Sequence, residues 1–194
     1  YMALAFPANL ALTASQLPEA PENPRLIIDE KAQARLIKRH NLRPNRLIAI
    51  CPGAEFSVEK QWPLDRFSFC IDRLCGAGYQ TVLLGSPNDK EDAKSIIEGI
   101  TQSHSNDILN LIGRTSIPEV IDIVGLARAV ITNDSGLMHV AAATERPVIA
   151  LFGPTSPSHT PPLTSRATIV ESPTGSMKDI KADEIFETLI KITK

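Results

Sequence analysis

Several absences narrow what this 194-residue sequence can do. No apolar run reaches the roughly 18 residues that a membrane-spanning helix requires. There is no basic excess: 20 Lys and Arg stand against 22 Asp and Glu, a net charge of −2 that argues against a nucleic-acid partner. Cys51, Cys70 and Cys75 form no CxxC pair, and with four scattered histidines they give no metal-ligand spacing. An odd number of cysteines without a pairing framework points to reduced thiols, as in a cytosolic protein. No GxGxxG follows a strand, so a nicotinamide-type dinucleotide domain is not expected. No Ser/His/Asp triad suggests itself either, because Asp134, Ser135 and His139 stand too close in sequence to converge in that geometry.

What is present is regular punctuation from Arg46 onward. The sequence predicts strands over residues 47–51, 81–84, 109–112, 128–132, 147–152 and near 167–170. It predicts helices over 64–75, 90–100, 117–126, 136–144 and 182–192. Gly76 and Gly78 are placed to end the first of these helices, and Ser116 with Glu119 fits a capping box. Short apolar strands alternating with helices of about ten residues specify an α/β fold, a Rossmann-like doubly wound parallel sheet covered on both faces. Ahead of it, residues 1–45 read as a linker and helical arm. The stretch 7–24 is rich in Pro, Ala and Asn, and a helix over 29–41 has Asp29 as its cap and Leu36 and Ile37 facing inward. Arg35, Lys38, Arg39, His40, Arg43 and Arg46 could touch an anionic membrane, or form a solvated helix face. The Rossmann-like domain proper is assigned to residues 46–194. The apolar, uncapped start at Tyr1 is read as the inside of a longer protein.

In such sheets ligands bind outside the carboxyl ends of the strands, and each strand-end loop here carries small or polar residues. They are Pro52-Gly53-Ala54 through Lys60-Gln61-Trp62-Pro63, then Gly85-Ser86-Pro87-Asn88-Asp89, Gly113-Arg114-Thr115-Ser116 and Gly153-Pro154-Thr155-Ser156-Pro157. Most informative is Ile131-Thr132-Asn133-Asp134-Ser135-Gly136-Leu137-Met138-His139, where a strand turns at once into a helix. Backbone N–H groups and the positive helix end suit a phosphate or pyrophosphate there. Gly136 allows close approach, while Asp134 and His139 could hold a sugar hydroxyl or a phosphate oxygen. The same turn also suits an ordinary helix start, since Asp and Ser are the commonest caps. Lys60 is the natural cation for a phosphate, or a surface lysine. Trp62-Pro63 is expected to pack its loop down. Arg114 could meet a phosphate or a base, or simply lie exposed. His40 and His104 receive no role, and His159 stays open.

Taken together, Cys51-Pro52-Gly53-Ala54-Glu55-Phe56, Lys60-Gln61-Trp62-Pro63, the block Thr132 to Ala143, and Phe152-Gly153-Pro154-Thr155-Ser156-Pro157 with Thr160-Pro161-Pro162 carry a resemblance. The chain resembles the lipopolysaccharide heptosyltransferases of glycosyltransferase family nine. That resemblance implies GT-B architecture, with this chain as the C-terminal, donor-binding half and the N-terminal acceptor domain absent. It implies an ADP-heptose donor, a heptosylated, Kdo-bearing lipid A acceptor held through the missing domain, and inverting transfer without a metal or other cofactor. Lys60 would neutralise the leaving ADP. The donor would be bound by Gly53, Ala54, Lys60, Ser86, Gly113, Thr115, Asp134, Ser135, Gly136 and His139. The general base belongs to the missing domain and has no candidate here. Gln61 stands where relatives often carry Arg. A cytoplasmic location follows, with peripheral contact to the inner membrane. The alternatives are a UDP-sugar-using GT-B transferase or epimerase, and a non-catalytic nucleotide-binding module; nucleotide preference separates them.

Overall fold

Strand β1 (Leu47–Cys51) reads Leu-Ile-Ala-Ile-Cys and is buried along its whole length. A strand apolar on both faces needs cover on both sides, and that cover comes from helices. The computed structural model describes residues 23–54 and 57–193. Within them β1 is followed by β2 (Gln80–Leu83), β3 (Ile108–Asn110), β4 (Ala129–Asn133), β5 (Val148–Phe152) and β6 (Ala167–Glu171). All neighbouring strands pair in parallel, in the order β3-β2-β1-β4-β5-β6. Ile48 sits between Thr81 of β2 and Ala129 of β4.

Side chains alternate across a strand, so each face collects every second residue. Ile48 and Ile50 join Ile131, Ile149 and Leu151 in one apolar cluster. Helices α2 (Leu64–Gly76), α3 (Lys90–Glu98) and α6 (Ala182–Ile192) cover it with Phe67, Leu74, Ile96, Ile185 and Leu189. Leu47, Ala49, Val130, Val148 and Ala150 form the opposite cluster. It is covered by α1 (Glu30–His40), α4 (Ile117–Leu126) and α5 (Gly136–Ala143) through Leu36, Ile123, Met138 and Ala141.

Local chemistry explains the boundaries. Asp29 caps α1 by accepting from the N–H groups of Lys31 and Ala32, at 2.8 and 3.1 Å. The Ser116–Glu119 capping box opens α4. Gly78 takes φ +83° just past α2, and Tyr79 N donates back to Leu74 O at 3.0 Å. β3 ends at Asn110, two residues before the end expected at Ile112. There the Asn110 side chain accepts from Ile112 N at 3.1 Å, while Leu111 N and Gly113 N still donate to Leu83 O and Gly85 O, both at 3.0 Å. α3 stops at Glu98 because Gly99 follows.

Most of the expected linker, up to residue 22, lies outside the described residues. From Leu26 onward the arm packs on the domain: Leu26 N donates to Ala143 O at 2.8 Å, and Leu36 is buried. Asp29 N and the Gln33 amide bond to Asp122 of α4, both at 2.9 Å. Contact there is close enough that a Cβ on Gly125 would lie 2.6 Å from Ile28 Cδ1. In the basic cluster Arg35, Lys38, Arg39, Arg43 and Arg46 are exposed, and some of the charges are paired: Arg39 with Glu119 and Arg43 with Asp107. His104, assigned no role from sequence, bonds Asp72 at 2.8 Å and ties its loop to α2.

Candidate functional site

The strand order reverses between β1 and β4, so their carboxyl ends open a crevice that no crossing helix covers. Asn133, the last residue of β4, is fully buried and spans that crevice. Its amide donates to Pro52 O at 2.7 Å, and its carbonyl accepts from Trp62 N at 3.2 Å. Trp62 is itself fully buried, donates from Nε1 to Ile180 O at 3.0 Å, and meets Phe67 edge to face. The loop after β1 is thus pinned, as expected of Trp62-Pro63, and the pin fixes Lys60.

The Lys60 ammonium lies 2.9 Å from Asp134 Oδ2. Thr155 donates to that same oxygen at 2.8 Å, and Thr160 approaches the other, Oδ1, at 3.4 Å. Loops following β1, β4 and β5 therefore converge on one carboxylate whose side chain is 7% exposed. Burial alone would raise its pKa. The hydrogen bonds from Lys60 and Thr155, the Lys60 charge and the Thr160 contact outweigh that, and the carboxyl is held below its ordinary value. Lys60 is paired but keeps 30% of its side chain exposed to solvent.

Beside this pair α5 begins without a side-chain cap. Ser135 occupies the cap position, but its hydroxyl makes no capping bond and instead lies 3.4 Å from Thr132 Oγ1. Gly136 is exposed, with nothing within 4 Å of where a Cβ would stand. Uncapped N–H groups facing open space are suited to an anion. His139 is exposed one turn further along α5.

A cavity of about 420 Å³ continues from this point between the loop after β2 and the starts of α4 and α5. Gly53, Ser86, Thr115, Ser135 and Gly136 line it, so five of the residues expected at a donor site share one space. Lys60, Asp134, Ala54 and His139 are not among its lining residues, although Asp134 directly precedes Ser135 and Ala54 directly follows Gly53, which are. Gly113 is not among the lining residues. It takes φ +66° after β3, with Pro87 Cα 2.9 Å from its would-be Cβ, and so serves the turn. Ser86 spends its hydroxyl locally, bonding Asp89 Oδ2 at 2.9 Å and accepting from Asn88 N at 3.2 Å.

Asp89, also in the cavity wall, is the acidic residue that the sequence reading passed over. Its Oδ2 accepts from Ser86 N at 2.7 Å, completing a capping box readable in Ser86-Pro87-Asn88-Asp89. The Asp89 carboxylate lies 2.8 Å from a Cβ built on Gly53 and 2.7 Å from one on Gly85, so both glycines make room for it.

The three cysteines are buried and free. Burial, together with nearby Asp89, pushes the Cys51 thiol up to about 12. Burial likewise raises Cys70 to about 12 and Cys75 to about 11. None is set up as a nucleophile. Among the described residues no three His, Cys, Asp or Glu side chains gather as a metal site, and no helix is long and apolar enough to cross a membrane.

Residues 1–190 match the model of glycosyltransferase family 9 (heptosyltransferase). The whole chain aligns with lipopolysaccharide heptosyltransferase 2 of Escherichia coli K12 at 37% identity, covering 57% of that protein. Among solved structures it superposes on E. coli ADP-heptose LPS heptosyltransferase II with a TM-score of 0.90 and 34% identity, covering 98% of this chain and 60% of the other. The E. coli heptosyltransferase WaaC with ADP shares the fold at 24% identity and a TM-score of 0.68, over 92% of this chain and 53% of that one. The chain thus spans a little under three fifths of the curated relative's length. By its motifs, its strand order and these matches, the chain belongs to glycosyltransferase family 9, the heptosyltransferase family.

Proposed function

We propose that this chain is the sugar-nucleotide-binding half of an inverting heptosyltransferase that moves heptose from ADP-heptose to the inner core of lipopolysaccharide. The observation that carries the reading is the Lys60–Asp134 pair next to the uncapped start of α5, whose Ser135 and Gly136 line a nucleoside-sized cavity. As the glycosidic bond breaks, negative charge builds on the β-phosphate. Lys60 and the N–H groups around Ser135 and Gly136 stabilise that charge. They supply what a divalent cation would otherwise provide, so the transfer needs no metal or other cofactor.

The base and ribose occupy the cavity. Asp89 accepts from the ribose hydroxyls, the role that an acidic residue after the second strand plays in related doubly wound folds. Asp134 and His139 face the sugar and its phosphate. The acceptor, a heptosylated and Kdo-bearing lipid A, approaches from the side of the crevice away from this chain, where the general base also lies. The protein works in the cytoplasm, in peripheral contact with the inner membrane that carries this acceptor.

Calorimetric titration with ADP and, separately, UDP tests the reading. ADP-selective binding, lost in Lys60→Ala and unchanged by a metal chelator, is the expected result. Preference for UDP would move the chain to the UDP-sugar transferases or epimerases. Weak ADP binding indifferent to Lys60→Ala and Asp134→Ala would reduce it to a non-catalytic nucleotide module.

A further inference from the structure

Among the described residues, the buried Asp134 carboxylate is bonded from three side chains, of which only one carries a charge. The Lys60 ammonium and the Thr155 hydroxyl both donate to Oδ2, at 2.9 and 2.8 Å, and the Thr160 hydroxyl approaches Oδ1 at 3.4 Å. The two threonines stand five residues apart in the loop after β5, so that loop closes on both oxygens of one carboxylate. Other bonds give the loop its shape. His159 N donates to Ser156 O at 3.1 Å, the hydroxyls of Ser156 and Ser158 lie 2.9 Å apart, and Pro154, Pro157, Pro161 and Pro162 fix φ along it. The threonine hydroxyls are thus presented to Asp134 independently of Lys60.

A lysine serves a diphosphate by bringing its ammonium to it as a point charge. In this structure the Lys60 ammonium is engaged with Asp134, so a diphosphate at the start of α5 competes with the carboxylate for one cation. When the ammonium shifts, Asp134 is left with 7% of its side chain exposed and no cation beside it, a state that desolvation disfavours. Neutral donors offset that penalty, and hydroxyls stay where an ammonium leaves.

We propose that Thr155, with Thr160, is a positioning residue for the donor's diphosphate: the two hydroxyls hold the Asp134 carboxylate while the Lys60 ammonium passes from it to the phosphates. The inference rests on the sugar-nucleotide reading above. Neither hydroxyl needs to touch the nucleotide. Each acts through Asp134 on the release of Lys60, because a carboxylate stripped of its hydroxyl donors holds the ammonium harder.

The test compares the parent chain with Thr155→Val and Thr155→Ser, titrated with ADP and with adenosine, which has no phosphate for Lys60 to meet. Thr155→Val is expected to bind ADP about fivefold more weakly, the equivalent of one neutral hydrogen bond, and adenosine unchanged. Thr155→Ser keeps the hydroxyl and should stay within about twofold of the parent for both ligands. In an Asp134→Ala background, Thr155→Val should change ADP affinity no further, because the carboxylate through which it acts has gone. Thr160→Val, at the longer contact and on an exposed residue, should show a smaller loss of the same kind, and it carries the test if Thr155→Val does not fold.

Equal ADP affinity in the parent and the folded valine variant overturns the proposal and leaves the nucleotide site standing. An equal loss for adenosine overturns it too, since the threonine would then serve the packing of the loop. So does a loss that persists in full without Asp134. Failure of the unsubstituted chain to bind ADP overturns both readings.

Discussion

Replacing Asn133 with alanine removes the side chain that stitches β4 to the loop after β1. Two hydrogen bonds go, to Pro52 O at 2.7 Å and from Trp62 N at 3.2 Å, both buried. Each contributes about 1 kcal/mol net. Pro52 O keeps a long contact from Gln61 Nε2 at 3.4 Å, but Trp62 N loses its acceptor in a region closed to water. Stranding that donor adds roughly 1–2 kcal/mol, so the total loss comes to about 3–4 kcal/mol. For a domain of this size a kilocalorie moves the melting midpoint by about 2–4 °C, which makes the expected drop on the order of 10 °C. Urea unfolding monitored by Trp62 fluorescence measures it, with an unchanged m-value showing that both end states are intact. Asn133→Asp refines the test. An ionised carboxylate still accepts from Trp62 N but faces the Pro52 carbonyl with no proton to donate. That variant should recover stability relative to the parent as acid protonates it. An alanine variant within about 0.5 kcal/mol of the parent would show that the bridge contributes little, and that Lys60 is held by something else.

Gly136→Ala separates binding from folding: with no atom within 4 Å of the new Cβ, unfolding should be unchanged or slightly harder, while ADP affinity falls at least several-fold. A variant that keeps full affinity would remove α5's first turn from the site. The Asp134 carboxyl is held below its ordinary value, so its contribution to stability is complete above the normal carboxylate range and disappears as pH falls through the depressed value. The stability gap between the parent and Asp134→Asn should therefore be flat near neutrality and close only in strong acid; a gap closing above about pH 5 contradicts the assignment. With thiols raised to about 11 or 12, Cys51, Cys70 and Cys75 should stay silent to a thiol reagent at pH 8 and react together on unfolding. One fast thiol in the native protein would mark a local opening.

Most of the architecture could be read from residue pattern, because parallel strands buried on both faces leave continuous apolar runs such as Leu47 to Cys51. Helix starts were legible where capping chemistry is written in the chain, as at Asp29 and Ser116. The limits of β3 were not, since a side chain of Asn110 folding back on its own backbone leaves no periodic trace. At the site, small residues at strand ends pointed to the cavity. What stayed hidden was pairing: nothing in sequence says that Lys60, 74 residues from Asp134, meets it together with Thr155 and Thr160. Asp89 was overlooked because, in Ser86-Pro87-Asn88-Asp89, it reads first as turn and cap chemistry. Its place beside Gly53 depends on β2 lying next to β1.

The parallel pairing of β1 with β4 has a kinetic consequence. Their partners, Ile48 with Ala129 through Cys51 with Thr132, lie about 80 residues apart in the chain. Closing so long a loop is entropically slow, and only the helices formed in between make it worthwhile. β1–β2 and β4–β5 join segments much nearer in sequence, so two half-sheets can assemble before the central seam closes. The crevice holding Lys60 and Asp134 lies on that seam, at its carboxyl edge. Any partly folded species that has not yet zipped β1 to β4 therefore has secondary structure and hydrophobic faces but no binding site. For this chain, regained nucleotide affinity would time the final step of refolding.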